Sequence, residues 1–341
     1  MNVSMSRHRL LRVVCPAIAA ALVLAACSNS PSAAPGSTAG QATTTAAAGS
    51  TAGAASSGAA GSSAAGGETD TLADKLAAVQ PDPALQAMLP DKLKNGGTAV
   101  VAVQPTVPPF DFYGADNKTI IGLDPDLMAG MQKVLGFKIQ YTELTFSGIV
   151  AGVASGRFDL SMTSMYDTIS RHTQIDFVDY FSSSDAIMTA HGNPNNFKTI
   201  GDVCGHTMVV QQGTSGVQTA QDAAAKCPSS APMKINLVDT QPDAVLQIQS
   251  GRADAGVCNG PTAQYIIGQR GLQVQVLDTT SFNQGVYGIG VPKSTPGLSK
   301  ALKGAIDQLI AKGYYKAVLD KWHISESSAL PEATINGGTR K

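Results

Sequence analysis

The chain has 341 residues, with 24 Lys and Arg against 25 Asp and Glu and a formal net charge of −1. So even a balance argues against a nucleic-acid partner, which usually meets a basic face. The length allows about two domains, and the five Cys and five His are too scattered for a zinc site.

Residues 1–27 read as a targeting segment. Arg7, Arg9 and Arg12 make a basic start, and Val13 to Leu24 is an apolar run too short to span a bilayer. It ends in Leu24-Ala25-Ala26-Cys27, which looks like a lipobox, the bacterial lipoprotein signal in which the Cys thiol takes the lipid. The mature protein is therefore expected on the extracytoplasmic face of the cell membrane, lipid-anchored at Cys27 rather than spanning. Residues 28–71 are mostly Ala, Gly, Ser and Thr with almost no charge. Such a stretch cannot bury enough apolar surface to fold. It reads as a disordered tether with an r.m.s. reach of roughly 35–40 Å. With Cys15 in the signal and Cys27 lipidated, Cys204, Cys227 and Cys258 remain. Cys204 and Cys227 flank one predicted strand and helix and are expected to form a disulfide, leaving Cys258 a buried free thiol.

Residues 72–97 read as a helical lead-in. Thr98 to Val103 is an apolar run without alternation, the pattern of a buried strand. A helix follows over Asp124 to Gly136, with Asp124 as cap, Pro125 at the first helical position and Gly136 past the end. Phe137, Ile139 and Tyr141 alternate as a strand, a second helix starts near Phe146-Ser147-Gly148, and a strand carries Asp159. The same grammar restarts at Thr207. A strand leads through Gly213-Thr214-Ser215 into a helix, then a strand over Ile235 to Val238, a helix over Ala244 to Ser250 and a strand over Ala253 to Cys258. Ser155-Gly156-Arg157-Phe158-Asp159 is echoed by Ser250-Gly251-Arg252-Ala253-Asp254. Strand–helix alternation predicts two α/β lobes, each a mixed, mostly parallel sheet flanked by helices. Gly285 to Val291 is a further strand, two helices follow up to Trp322, and residues 326–341 read as a polar tail.

The stretch Asp159 to Phe181 carries the chemistry. A strand ends in the hydroxyls of Thr163 and Ser164, then come Tyr166 and Arg171. Hydroxyls at a strand end followed by a guanidinium can hold a carboxylate, because the Arg fork matches two carboxylate oxygens.

On these motifs the chain resembles the family 3 extracellular solute-binding proteins, the amino-acid receptors of ABC importers. The matching residues are Pro108-Pro109-Phe110, Gly122-Leu123-Asp124, Phe146-Ser147-Gly148-Ile149, the Asp159 to Arg171 segment with Asp176-Phe177, Gln212-Gly213-Thr214, Ala253-Asp254-Ala255 and Lys321-Trp322. The resemblance implies a type II periplasmic-binding-protein-like clamp. Lobe one is residues 98–189 plus 287–325 and lobe two residues 190–286. Hinge crossings are placed near Ala190-His191-Gly192 and Gln284-Gly285-Val286. It also implies a monomer that serves a permease and uses no cofactor or metal. Arg171 would grip the ligand carboxylate beside Thr163, Ser164 and Tyr166. Phe146 and Phe110 would line the ligand, and Thr214 and Ser215 would offer backbone N–H groups from a helix start.

Two positions depart from the family pattern. Val107 stands where an aromatic is common, and Asn259 where an Asp usually meets the ligand's α-ammonium. Asn accepts a hydrogen bond but supplies no charge. Either the solute lacks a free α-amino group or another acid compensates; Asn259 also suits a turn before Gly260-Pro261. A dehydratase-like enzyme on this scaffold is the alternative, and so is a solute-sensing lipoprotein that feeds no importer. An enzyme needs a placed acid or base, which Asn259 cannot be, and no G-x-S-x-G elbow or phosphate loop is present.

Overall fold

The computed structural model describes residues 71–268, 271–277 and 282–341. Cys27, the targeting segment and the tether up to residue 70 lie outside the described residues. Thr71, expected as the tether's last residue, instead caps the first helix through Asp74 N.

The chain opens with α1 (Leu72–Ala78) and α2 (Pro83–Ala87), the latter capped by Asp82. Leu72, Leu76 and Leu85 lie against the main core, and Val79, Leu89 and Leu93 are buried in it. The lead-in is thus part of lobe one, because its apolar positions have nowhere else to be buried.

Lobe one continues with β1 (Thr98–Val103), a small sheet of β2 (Thr106–Val107), β3 (Asp111–Tyr113) and β4 (Ile120–Ile121), then α3 (Leu123–Leu135), β5 (Lys138–Glu143), α4 (Phe146–Ala154) and β6 (Leu160–Ser161). β1 pairs in parallel with both β5 and β6. α3 starts one residue before the expected cap. Gly122 is its N-cap, and the buried Asp124 carboxylate instead accepts from Ser164 N at 2.9 Å and Tyr180 Oη at 2.7 Å. Tertiary partners outcompete the local capping role.

Next come β7 (Ile175–Ala190), β8 (Thr207–Gln211), α5 (Ser215–Ala224), β9 (Lys234–Val238), α6 (Gln241–Gln249), β10 (Ala255–Asn259), α7 (Gly260–Ile267) and β11 (Val274–Val276). The chain closes with β12 (Phe282–Pro292), α8 (Pro296–Ala311), α9 (Tyr314–Lys321) and β13 (Ala329–Ile335). The strand order is β5-β1-β6-β12-β7-β10-β8-β9, with β11 and β13 also on β7. β8 is parallel to β9 and β10, as β1 is to β5 and β6. The two lobes repeat one plan.

β7 belongs to both lobes. It pairs with β12 from Ile175 to Asp185, with a register shift past Ser183, and with β10 from Asp185 to Thr189. The change of lobe therefore falls near Ser183–Asp185, earlier than the expected crossing at Ala190-His191-Gly192, where β7 instead ends in a turn. Ser182-Ser183-Ser184 reads as a break in isolation, but strand pairing on both sides keeps it extended. In the return crossing, the expected Gln284-Gly285-Val286 lies inside β12, at a register shift between Phe282 and Gly285.

The expected polar tail is not a tail. β13 pairs antiparallel with β7, Thr334 opposite Asp179 and Ile335 opposite Val178, and Ala333 is buried. It covers an edge of β7 that would otherwise present unpaired amides. Cys204 and Cys227 are joined, with Cα atoms 5.4 Å apart, and Cys258 is free and buried. Among the described residues no helix is long and apolar enough to cross a membrane.

Candidate functional site

The lobes meet over a cavity of about 40 Å³ lined by Phe146, Ser164, Tyr166 and Arg171 from one side and by Thr214, Ser215 and Asn259 from the other. Arg171 sits in a short helical turn after the loop that follows β6, and it is 8% exposed. One guanidinium nitrogen donates to Tyr166 O, and the other to Gly213 O at 2.9 Å across the cleft. The Phe146 ring lies 5.8 Å from the guanidinium carbon. Burial, then the nearby Arg340 charge, lowers the Arg171 pKa to about 10. It is still a cation at neutral pH, with N–H donors left over for an anion.

Lobe two supplies the facing wall. Thr214 is the N-cap residue of α5, so the first amides of that helix point toward the cavity. Gly213 has φ +80°, and a Cβ there would lie 2.6 Å from Ser147 Cα in the opposite lobe. Only a glycine lets the lobes come this close. Further along, Gln104 Nε2 of lobe one donates to Asp239 O at 3.1 Å, as does Gln211 Nε2 at 3.0 Å.

Seven of the nine expected ligand-contacting residues line this cavity: Phe146, Ser164, Tyr166, Arg171, Thr214, Ser215 and Asn259. Phe110 and Thr163 do not. Phe110 is fully buried, its ring 5.1 Å from Phe181 and 5.3 Å from Tyr287, edge-on to both. A large apolar ring gains more in that aromatic cluster than at a polar wall. Thr163 Oγ1 donates to Asp111 Oδ2 at 3.2 Å and accepts from Gln104 N, so the hydroxyl faces the interior of lobe one. Asn259 lines the cavity, but its side chain caps α7 by accepting from Thr262 N at 2.9 Å. Asn-Gly-Pro here starts a helix.

Four polar residues that sequence reasoning missed stand in or beside this site: Asp185, Gln211, Gln241 and Arg340. Asp185 follows the Ser182-Ser183-Ser184 break in an apolar strand, and a charge at that break was a usable signal. Its carboxylate accepts from Arg340 at 3.0 Å and, by a second short bond, in a fork-to-fork pair. Burial raises the Asp185 carboxyl above the usual range, and Arg340 pulls it back. Arg340 gave no signal, since its partner lies 155 positions away.

Two α/β lobes joined through shared strands, closed over a polar cavity with a buried guanidinium in its wall, define a solute-binding clamp of the type II periplasmic kind. Residues 99–325 match the family described as bacterial extracellular solute-binding proteins, family 3, and the chain belongs to that family. It is 28% identical over 261 residues to the arginine-binding protein ArgT of Corynebacterium glutamicum, covering 75% of this chain and 84% of that one. Among solved structures, an ancestral arginine-binding protein bound to arginine superposes with a TM-score of 0.62 at 29% identity, covering 66% of this chain and 98% of the other. The ancestral amino acid-binding protein AncCDT-1, a precursor of cyclohexadienyl dehydratase, gives 0.60 at 28% identity, covering 66% and 95%.

Proposed function

We propose that the chain is the receptor of an ABC importer for an amino acid or related small carboxylate, held at the membrane through Cys27 and acting as a monomer. The observation that carries this is Arg171, a buried cation in the cleft wall beside the first amides of α5. A carboxylate placed between them would meet a guanidinium fork and backbone N–H groups together. Ser164 and Tyr166 would flank it, and Phe146 would cover its side chain. Asp185 also lines the cavity, a carboxylate where Asn259 has none, and it is paired with Arg340. Lobe opening about the β7 and β12 crossings would admit the solute.

An enzymatic role is disfavoured. Asp185 is the carboxyl among the described residues lining the cavity, and it is tied to Arg340 rather than placed to pass a proton.

A thermal-shift screen over the common amino acids and small organic acids tests the reading, because a solute bound to the folded state raises Tm. A rise with at least one is expected; no rise with any would overturn it. Intact mass of the membrane-extracted protein tests the anchor, since an unmodified Cys27 contradicts it.

A further inference from the structure

Beyond Ile335 the chain turns from β13 into the cleft. Asn336, in left-handed backbone, bonds the Phe177 amide and the Asp176 carboxylate. Gly337 N then donates to Asp179 Oδ2 at 2.9 Å and Gly338 N to Asp167 Oδ2 at 2.8 Å. A Cβ on Gly338 would stand 2.4 Å from Asp167 O, so glycine is needed for the segment to lie on this wall. Ile169 N donates to Arg340 O at 2.8 Å.

The path delivers Arg340 to a desolvated position. Its side chain is 8% exposed and that of Asp185 is 3% exposed. The guanidinium carbon lies 4.1 Å from the Tyr166 ring centroid. A guanidinium nitrogen donates to Thr219 Oγ1 at 3.1 Å, and Thr219 Oγ1 also donates to Asp185 Oδ2 at 3.2 Å. A flat ring below and a carboxylate fork in the plane are the contacts that suit a guanidinium, and a hydroxyl beside them accepts a further N–H. The segment also links the lobes, docking on β7 at one end and meeting Thr219 of α5 at the other. With Arg340 seated, the adjoining cavity of about 40 Å³ has room for only a few waters. Small-molecule sites usually need about 300–1,000 Å³.

We propose that Asp185, Tyr166 and Thr219 form a guanidinium subsite of the cleft, and that Arg340 is its tethered occupant, which a free guanidinium-bearing solute must displace. The subsite stands on its own geometry; the competition rests on the receptor reading above. A tethered group acts at an effective concentration on the order of millimolar, so it weakens the apparent affinity of any free competitor.

The test compares the full chain with Arg340→Gln, Arg340→Gln/Asp185→Asn and Gly338→Val, the last unseating the segment without removing its charge. Methylguanidinium at millimolar concentration is the first probe. It is expected to raise the Tm of Arg340→Gln and to leave the wild-type and double-variant values unchanged. No rise in Arg340→Gln overturns the subsite. L-arginine is the second probe, read by calorimetry. Arg340→Gln and Gly338→Val are expected to bind it at least about tenfold more tightly than wild type, as removal of an internal competitor requires. Equal or weaker binding overturns the competition. If no variant binds any amino acid, the receptor reading and the competition fall together, while methylguanidinium still decides the subsite.

Discussion

Arg171 and Asp179 show how burial sets the behaviour of single groups. Arg171 has carbonyl partners in both lobes and keeps its charge. Arg171→Ala would remove a charge-assisted bond to the solute worth about 1.5–3 kcal/mol, or roughly a 10- to 150-fold loss of affinity. Isothermal titration with the solute from the screen checks this; unchanged affinity would remove Arg171 from the site. Asp179 accepts from Thr334 Oγ1 at 2.6 Å and from Gly337 N. Burial, with the Asp167 charge nearby, raises its pKa from 3.8 to about 7. The folded state thus keeps this proton after the unfolded chain has released it. Its stabilising effect is fully present below pH 3.8 and is lost as pH rises through about 7. The slope is at most about 1.4 kcal/mol per pH unit. Urea denaturation between these limits should show stability falling with pH in wild type and falling less in Asp179→Asn.

At the scale of elements, the helices of lobe one depend on close approach. Gly130 of α3 faces Tyr314 and Leu309, and a Cβ there would lie 2.6 Å from the Tyr314 ring and 2.8 Å from a Leu309 methyl. Gly130→Ala should therefore cost about 1–3 kcal/mol through overpacking, a loss visible as a lower urea midpoint. The Cys204–Cys227 bond ties the turn before β8 to the end of α5 across 23 positions. Its removal by double Ser substitution should cost about 3 kcal/mol on chain-entropy grounds, checked by calorimetric unfolding. Elements with their own punctuation were legible in the sequence. β1 was an unbroken apolar run, α3 ended at Gly136 as expected, and β8 to β10 repeated the grammar of lobe one. The second half of β7 and β13 were not legible. Each is polar or interrupted locally and is held by partners far away in the chain.

At the scale of the whole molecule, function depends on how closely the lobes approach. Gly213 packs against the Ser147 backbone, and Arg171 spans the same gap. Gly213→Val should hold the lobes apart. Solute affinity is expected to fall about tenfold or more, because full closure completes the ring of contacts. Small-angle scattering should then show less compaction on adding solute than in wild type. Equal compaction in both would show that this contact does not limit closure.

What the sequence alone determined is the kind of molecule. Periodicity, capping residues and the order of short motifs specified two α/β lobes, a disulfide and one strategic guanidinium, because each depends on residues near one another in the chain. The tertiary structure decided which side chains face the cleft. Phe110 and Thr163 turned inward because an aromatic cluster and the buried Asp111 outcompete a polar wall. Asp185 and Arg340 came together because two long strands bring distant positions side by side. Local sequence encodes the propensity to form an element. The charge partner of a buried group is fixed only when packing has excluded water and left it one neighbour of opposite sign.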